Sequence, residues 1–383
     1  MKIAFDAELI FEINKTGIGK TTEYLIKAMS GYKEHEYRLN YIGSRRNKEK
    51  NAIIDEYKKF GYSDFKGTNR LLNLIYKVMR RTCIEPPYSL FFGGGSDVTV
   101  FFNYYVPPFV KGKSTVIVYD MTYKAHPETM NAVTKKWLDN VLEKSCARAE
   151  KIITISQFSK NEIIKYLGIE EDRIEVMPMG VDTDIFNDKK DDKKIEEVKK
   201  KFGIEGEYFL YMGTLEPRKN IERLIEAYAL LKKEKSAAAK LVLAGKKGWL
   251  YDKIFEKVKK YEIEDDVIFT GYVSDEDAVD MMRGAFAFVF VSIYEGFGIP
   301  PLEAMAYGTP VIVSKEASLP EVVGNAAILA DAYDCGDIKN AMLEMCENNE
   351  KREELIMLGK KRAKELSWKN SAEILNDILK RML

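Results

Sequence analysis

Histidine is almost missing from this sequence: His35 and His126 are the only two among 383 residues. So few imidazoles argue strongly against a zinc site, and no other His/Asp/Glu cluster offers a metal site. Cysteine is scarce too. Cys83, Cys146, Cys335 and Cys346 form no C-x-x-C pair and read as reduced thiols, not as a disulfide framework. Net charge is absent, with 60 Lys+Arg against 60 Asp+Glu, so no bulk field draws the chain to nucleic acid. No apolar run approaches a membrane span. The N-terminal run M-K-I-A-F-D-A-E-L-I-F-E-I is broken by acids, which argues against a signal peptide. What remains is an ordinary globular composition, 46% hydrophobic, expected of a cytoplasmic protein with sizeable cores. The length predicts two domains or three.

Short apolar runs of strand character fall at 2–7, 37–41, 98–102, 115–119, 151–155 and 174–177, with helical patterns at 21–29, 131–149 and 157–166. This alternation predicts a parallel sheet with helices on both faces. Residues 184–201 are strongly polar and read as a linker plus an exposed helix. Strand-like runs resume at 208–212, 241–244, 267–270, 285–291 and 311–313, and helices close the chain. Two domains are expected, 1–184 and 185–369, with a final helix at 370–383 returning to the first. In open parallel sheets, ligands bind beyond the carboxyl ends of the strands, so the active site is expected in the cleft between two such domains.

The most informative stretch is 294–303, Y-E-G-F-G-I-P-P-L-E. It follows a buried-strand pattern and precedes a helix-forming run, with Gly296 and Gly298 making the turn. Strand, glycine turn and helix together present a helix N-terminus to an anion. Pro300 and Pro301 suit the first helical position, where a missing N–H is harmless, and Glu303 is expected in the first turn, able to accept from a vicinal diol. Glu295, on the loop, would face a second sugar, or else only cap the backbone amides that follow it. The chemistry indicated is that of a sugar nucleotide.

Further segments carry a family resemblance. The E-x7-E element continues into A-M-A-Y-G-T-P-V-I-V-S (304–314) and S-L-P-E-V-V-G (318–324). Upstream lie Y-M-G-T-L-E-P-R-K-N (211–220), L-A-G-K-K-G-W (243–249) and F-T-G-Y-V (269–273). As a set these resemble the retaining glycosyltransferases of family four. The resemblance covers nearly the whole chain and implies the α/β GT-B fold, two doubly wound Rossmann-like domains facing each other across a cleft. It places a donor site at Glu303, Gly296, Phe297, Gly298, Ile299, Gly213 and Thr214, with Tyr272 and Val273 beside the nucleobase. It gives the leaving diphosphate to Arg218 and Lys219, which precede a supposed N-cap, Asn220; the bland alternative is a solvated surface pair. Many relatives carry an arginine where this chain has Thr214, and Arg218 would fill that role.

The loop N-K-T-G-I-G-K-T-T (14–22) lacks the first glycine of a P-loop, having Asn14 there. The resemblance instead makes Gly17, Gly19 and Lys20 a phosphate- and acceptor-side turn at the first helix. Asp182 and Asp184 spell D-x-D, but at the expected domain junction, not at a metal site. Related enzymes usually have a histidine before Asp120; this chain has Tyr119. Asp120 would face acceptor or sugar, with Asn103, Tyr104 and Tyr119 lining the acceptor side. Residues 69–83, N-R-L-L-N-L-I-Y-K-V-M-R-R-T-C, form a basic amphipathic pattern, with Leu71, Leu72, Ile75, Val78 and Met79 on one face. It suits an anionic membrane surface or a core-packing helix with a solvated basic side.

The resemblance thus implies a metal-independent, cofactor-free retaining hexosyltransferase, with Glu295, Arg218, Lys219 and Asp120 at the reaction. It would use a nucleotide sugar, GDP-mannose first, and a glycan or lipid-linked glycan acceptor in surface polysaccharide or lipopolysaccharide assembly. The expected location is the cytoplasm, with peripheral contact at the inner membrane face. A sugar-nucleotide epimerase of the same fold and a non-catalytic nucleotide-sugar sensor are the rival readings. A phosphorylase would need a pyridoxal lysine, for which no motif is present.

Overall fold

The computed structural model describes residues 1–12, 15–43, 48–81, 85–186, 190–236, 239–248 and 251–383. Asn14, Cys83 and Trp249 lie outside them. The chain divides into two compact units: Met1–Ala125, Met130–Met179 and Trp368–Leu383 form one, and His126–Thr129 with Gly180–Ser367 the other.

The first unit is built on a parallel sheet of β1 (Lys2–Asp6), β2 (Glu36–Tyr41), β3 (Asp64–Gly67), β4 (Val98–Phe101), β5 (Lys113–Ile117), β6 (Lys151–Thr154) and β7 (Ile174–Val176). Their spatial order is 3-2-1-4-5-6-7. Every residue of β4 is buried, as expected of a strand covered on both faces. Helix Gly17–Met29 turns Leu25, Ile26 and Met29 inward, each contributing about 1.5–3 kcal/mol by burial. Helix Trp368–Arg381 packs on it. Its ring Trp368 stacks on Tyr24 at 5.5 Å, Asn376 Oδ1 meets His35 Nε2 at 2.7 Å, and the Ser371 hydroxyl donates to Pro178 O at 2.6 Å.

The second unit holds β8 (Tyr208–Met212), β9 (Lys240–Ala244), β10 (Val267–Gly271), β11 (Ala287–Phe290), β12 (Val311–Ser314) and β13 (Ala327–Ala330), all parallel, in the order 10-9-8-11-12-13. Each sheet reverses its winding once, between β1 and β4 in the first and between β8 and β11 in the second. Ligands of doubly wound sheets sit at that switch point, so the loops after β8 and β11 form the ligand end of the second unit.

Several sequence expectations shift. Strand β5 ends at Ile117, two residues short of Tyr119, so Tyr119 and Asp120 lie on the loop beyond it. The first helix begins at Gly17, with Thr16 as N-cap; Gly17 and Gly19 therefore belong to its first turn and not to a turn before it. Helix Arg70–Arg81 is present, but its apolar residues divide. Leu71, Leu74 and Val78 are 65%, 59% and 50% exposed, whereas Leu72, Ile75 and Met79 are half-buried. The single shared face is thus two stripes. No helix among the described residues is long and apolar enough to cross a membrane.

Candidate active site

The loop leaving β8 carries the basic pair. Residues Pro217–Lys219 form one 3-10 turn, closed by Asn220 N donating to Pro217 O at 3.0 Å. Asn220 has left-handed backbone, φ 62°, and its side chain caps nothing. Asn220 holds the N-cap position as expected, its carbonyl accepting from Leu224 N at 3.1 Å, while its side-chain amide is turned to other partners. Asn tolerates φ > 0 better than other non-glycine residues, and here it lets the 3-10 turn run directly into helix Ile221–Glu234.

The loop leaving β11 supplies the partner. Ser292 and Ile293 precede Tyr294 and Glu295, and Ile293 N donates to Arg218 O at 2.9 Å, joining the two loops. Arg218 Nη1 donates to Tyr294 O at 2.7 Å, and its guanidinium lies 2.9 Å from Glu295 Oε2 and 2.8 Å from Glu216 Oε1. Lys219 Nζ is 2.5 Å from Glu295 Oε1 and 4.9 Å above the Phe290 ring. The pair is not a solvated surface feature: Arg218 and Lys219 side chains are 18% and 13% exposed, and that of Glu295 is 11%. Burial pushes the Glu295 carboxyl up, but the Arg218 charge and then the Lys219 charge outweigh it and hold it at about 2. Burial and then Arg218 push Lys219 below its ordinary value, against the pull of Glu295. The result is a water-poor triad of two cations and one carboxylate at the ligand end of the sheet, where such charges act strongly.

The rest of the loop is held from below. The Ser318 hydroxyl lies 2.8 Å from Glu295 O and 3.0 Å from Phe297 O, which gives the S-L-P-E segment a local task. Gly298 has φ +111°, and a Cβ there would come within 2.6 Å of Leu319 Cδ2; only glycine fits. Helix Ile299–Tyr307 starts at Ile299. Pro300 is therefore its second residue, and Glu303 stands in the second turn, not the first. Gly296, Phe297 and Gly298 are buried; Ile299 and Glu303 are half-buried.

The other residues expected on the donor side come from the ends of β8 and β10. Gly213 N donates to Ala244 O at 2.9 Å, Thr214 is exposed, and Tyr211 reaches Thr214 O through its hydroxyl at 3.1 Å. Tyr272 is exposed with Lys246 Nζ 4.5 Å above its ring, and Val273 is buried.

In the first unit, Tyr104 and Tyr119 bring their rings to 5.7 Å. Tyr119 is buried beside Thr22, and burial pushes its phenol well up. Asp120 is committed locally, accepting from Thr122 N at 2.9 Å. Asn103 is half-buried, and Gly17 and Lys20 are exposed while Gly19 is buried. Asp6, at the end of β1, is not singled out by any sequence motif, yet its carboxyl is pushed up to about 7 by burial and then by Glu8. An acid inside a strand-like run carries no sequence signal that it is buried. Among the described residues no group of His, Cys, Asp and Glu gathers as for a metal. Asp182 instead accepts from Asp184 N at 3.0 Å, closing its own turn. Cys146, Cys335 and Cys346 are free thiols.

Two family patterns match this chain: "Glycosyltransferase Family 4" over residues 89–185 and "Glycosyl transferases group 1" over residues 192–362. The chain is similar to the O-antigen chain mannosyltransferase B of Escherichia coli, 31% identical over 386 residues that span 97% of each protein. In fold it is similar to Anabaena Alr3699/HepE in complex with UDP and glucose, with a TM-score of 0.72, 16% identity and 100% of each chain covered. It is also similar in fold to WaaG, a glycosyltransferase involved in lipopolysaccharide biosynthesis, with a TM-score of 0.63, 15% identity and 99% of each chain covered. A relationship that extends along the whole sequence, on two doubly wound parallel sheets, places the chain in glycosyltransferase family 4 with the GT-B fold.

Proposed function

We propose that this chain transfers mannose from GDP-mannose, with retention and without a metal ion, to a hydroxyl of a glycan or lipid-linked glycan in surface polysaccharide synthesis. The observation that carries the reading is the Arg218–Lys219–Glu295 triad at the switch point of the second sheet. Two cations in a poorly hydrated site suit a departing diphosphate, whose negative charge grows as the glycosidic bond breaks. That phosphate can accept the acceptor's proton on the same face of the sugar, so no separate base is needed. Glu295 and the main chain of Gly296–Ile299 would orient the sugar, Glu303 the ribose, and Tyr272 and Val273 the base. Tyr104, Tyr119, Asn103 and Asp120 are the acceptor-side candidates, with Gly17, Gly19 and Lys20 nearby in the chain's first helix. The mannose assignment draws on the Escherichia coli relative.

A thermal-shift panel of GDP, UDP, ADP and their sugar conjugates, without added metal, tests the donor site. One nucleotide is expected to raise the melting temperature of the wild-type chain and to leave Glu303→Ala unmoved. An equal shift in that variant would remove Glu303 from the site. The anomeric configuration of the product, read by NMR, separates retention from inversion, and a changed free sugar nucleotide would favour the epimerase reading.

For the membrane, the stripe Leu71, Leu74 and Val78 supports peripheral contact. Co-sedimentation with anionic vesicles is expected for the wild-type chain and should fall several-fold in Leu71→Glu/Leu74→Glu. Failure of the wild-type chain to sediment sinks the contact.

A further inference from the structure

We propose that Asn220 is a positioning residue for sugar transfer, acting through Arg218 and Lys219 by riveting their loop to the carboxyl ends of two other strands. The inference rests on the reading of that basic pair as the diphosphate site. Asn220 is 4% exposed, and each of its polar groups is used. One amide proton goes to Val291 O at 3.0 Å, just beyond β11, and the other to Ala332 O at 2.7 Å, just beyond β13. Its Oδ1 accepts from Arg223 Nη1 at 2.9 Å, and that guanidinium lies 5.3 Å over the Tyr333 ring. The main-chain N–H closes the 3-10 turn onto Pro217 O, and the carbonyl accepts from Leu224 N at 3.1 Å, opening the following helix.

These bonds fix the residue next to Lys219 against two segments far away in sequence as well as against its own turn and helix. Without them the two cations would rest on a loop held by Ile293 N, Arg218's own contacts and Lys219's single carboxylate. Preorganised charge stabilises a transition state only if it need not be reoriented as the reaction proceeds, and a displacement of about 1 Å can cost about a hundredfold in rate. The left-handed backbone adds a constraint on side-chain identity. Asn, Asp and Gly adopt it readily, but among these only Asn can donate two side-chain hydrogen bonds.

The test is a double-mutant comparison. GDP, UDP and ADP are titrated by calorimetry, and transfer is assayed, in wild type, Asn220→Gly, Lys219→Ala and the double variant. Asn220→Gly keeps the backbone conformation and removes the side-chain bonds. It is expected to melt cooperatively, to lose roughly tenfold or more in kcat, and to weaken nucleoside diphosphate binding to a smaller degree. In the Lys219→Ala background the same substitution should cost clearly less, because part of what Asn220 positions is already gone. A residue serving the fold alone would lower melting and leave kcat intact, or would cost the same in both backgrounds; each result overturns the proposal. Asn220→Asp, which keeps shape and backbone but cannot donate, is read in parallel should the glycine variant not fold, and is expected to lose kcat likewise. Wild-type-like diphosphate binding and turnover in Lys219→Ala would instead remove the basic pair itself, a failure distinguishable from that of Asn220.

Discussion

Lys219→Ala is expected to reduce sugar transfer by about 10²–10³-fold, the usual effect of deleting one preorganised group that stabilises developing charge. The loss should fall mainly on kcat, since the charge on the departing diphosphate is greatest in the transition state. Folding should suffer much less. Glu295 would retain Arg218 at 2.9 Å, so its burial stays partly compensated. The drop should be well below the roughly 3–5 kcal/mol that accompanies a buried charge stripped of its only partner. Arg218→Ala provides the contrast. It removes the contacts to Glu295 and Glu216 and also the bond to Tyr294 O, so melting temperature and turnover should fall together. Steady-state kinetics and thermal melts on the same preparations check both statements. Near-normal turnover in Lys219→Ala would take the pair out of the chemistry.

Glu295→Gln is expected to affect two ligands in opposite directions. Transfer should fall about 10²-fold or more, because a neutral amide orients sugar hydroxyls less strongly than a carboxylate. A bare nucleoside diphosphate should bind as tightly as before or several-fold more tightly. On the proposed reading its phosphates would share Arg218 and Lys219 in the wild-type chain with Glu295, which already lies 2.9 and 2.5 Å from them. Calorimetry against turnover separates the two effects; weaker diphosphate binding would argue that Glu295 organises the cations and does not compete for them. The same substitution has a pH signature. Glu295 is held at about 2 in the folded chain against an ordinary value of 4.5. A depressed carboxyl adds stability that is present above the unfolded value and is lost as pH falls through the folded one. That contribution, about 3 kcal/mol at most, should disappear between roughly pH 4.5 and 2 in the wild type. The glutamine variant should show a flatter curve over the same window and lower stability near neutrality, where Arg218 and Lys219 repel each other.

The central strands were legible because residues covered on both faces are nearly all apolar, as in A-F-V-F of β11 and V-I-V-S of β12. Strands β3 and β13 escaped notice. They are edge strands, and D-F-K-G and A-I-L-A have one fully buried residue each, leaving little periodic signal. The E-x7-E element was legible as a motif, yet its register on the helix was not. Proline suits any position of a first turn that lacks N–H partners, so the Pro-Pro pair could not tell Ile299 from Pro300 as the first helical residue. The triad was legible as residue types at two strand ends. Its ionic pairing was not, since Lys219 and Glu295 lie 76 residues apart. Asn220 was harder still: its helix-start position was legible, but its two carbonyl partners are 71 and 112 residues away.

The helix Trp368–Arg381 has a consequence for how the chain comes off the ribosome. Nascent domains generally fold as units, the N-terminal one first. Here the first unit is completed by residues 368–383, which are synthesised only after the whole of the second unit. Until they emerge, Tyr24 lacks its stacking partner, His35 lacks Asn376 and Pro178 O lacks the Ser371 hydroxyl. The unit whose chain is begun first is therefore completed only after the second unit has been made, and the face of helix Gly17–Met29 that carries Tyr24 waits for its partner throughout translation of the second unit.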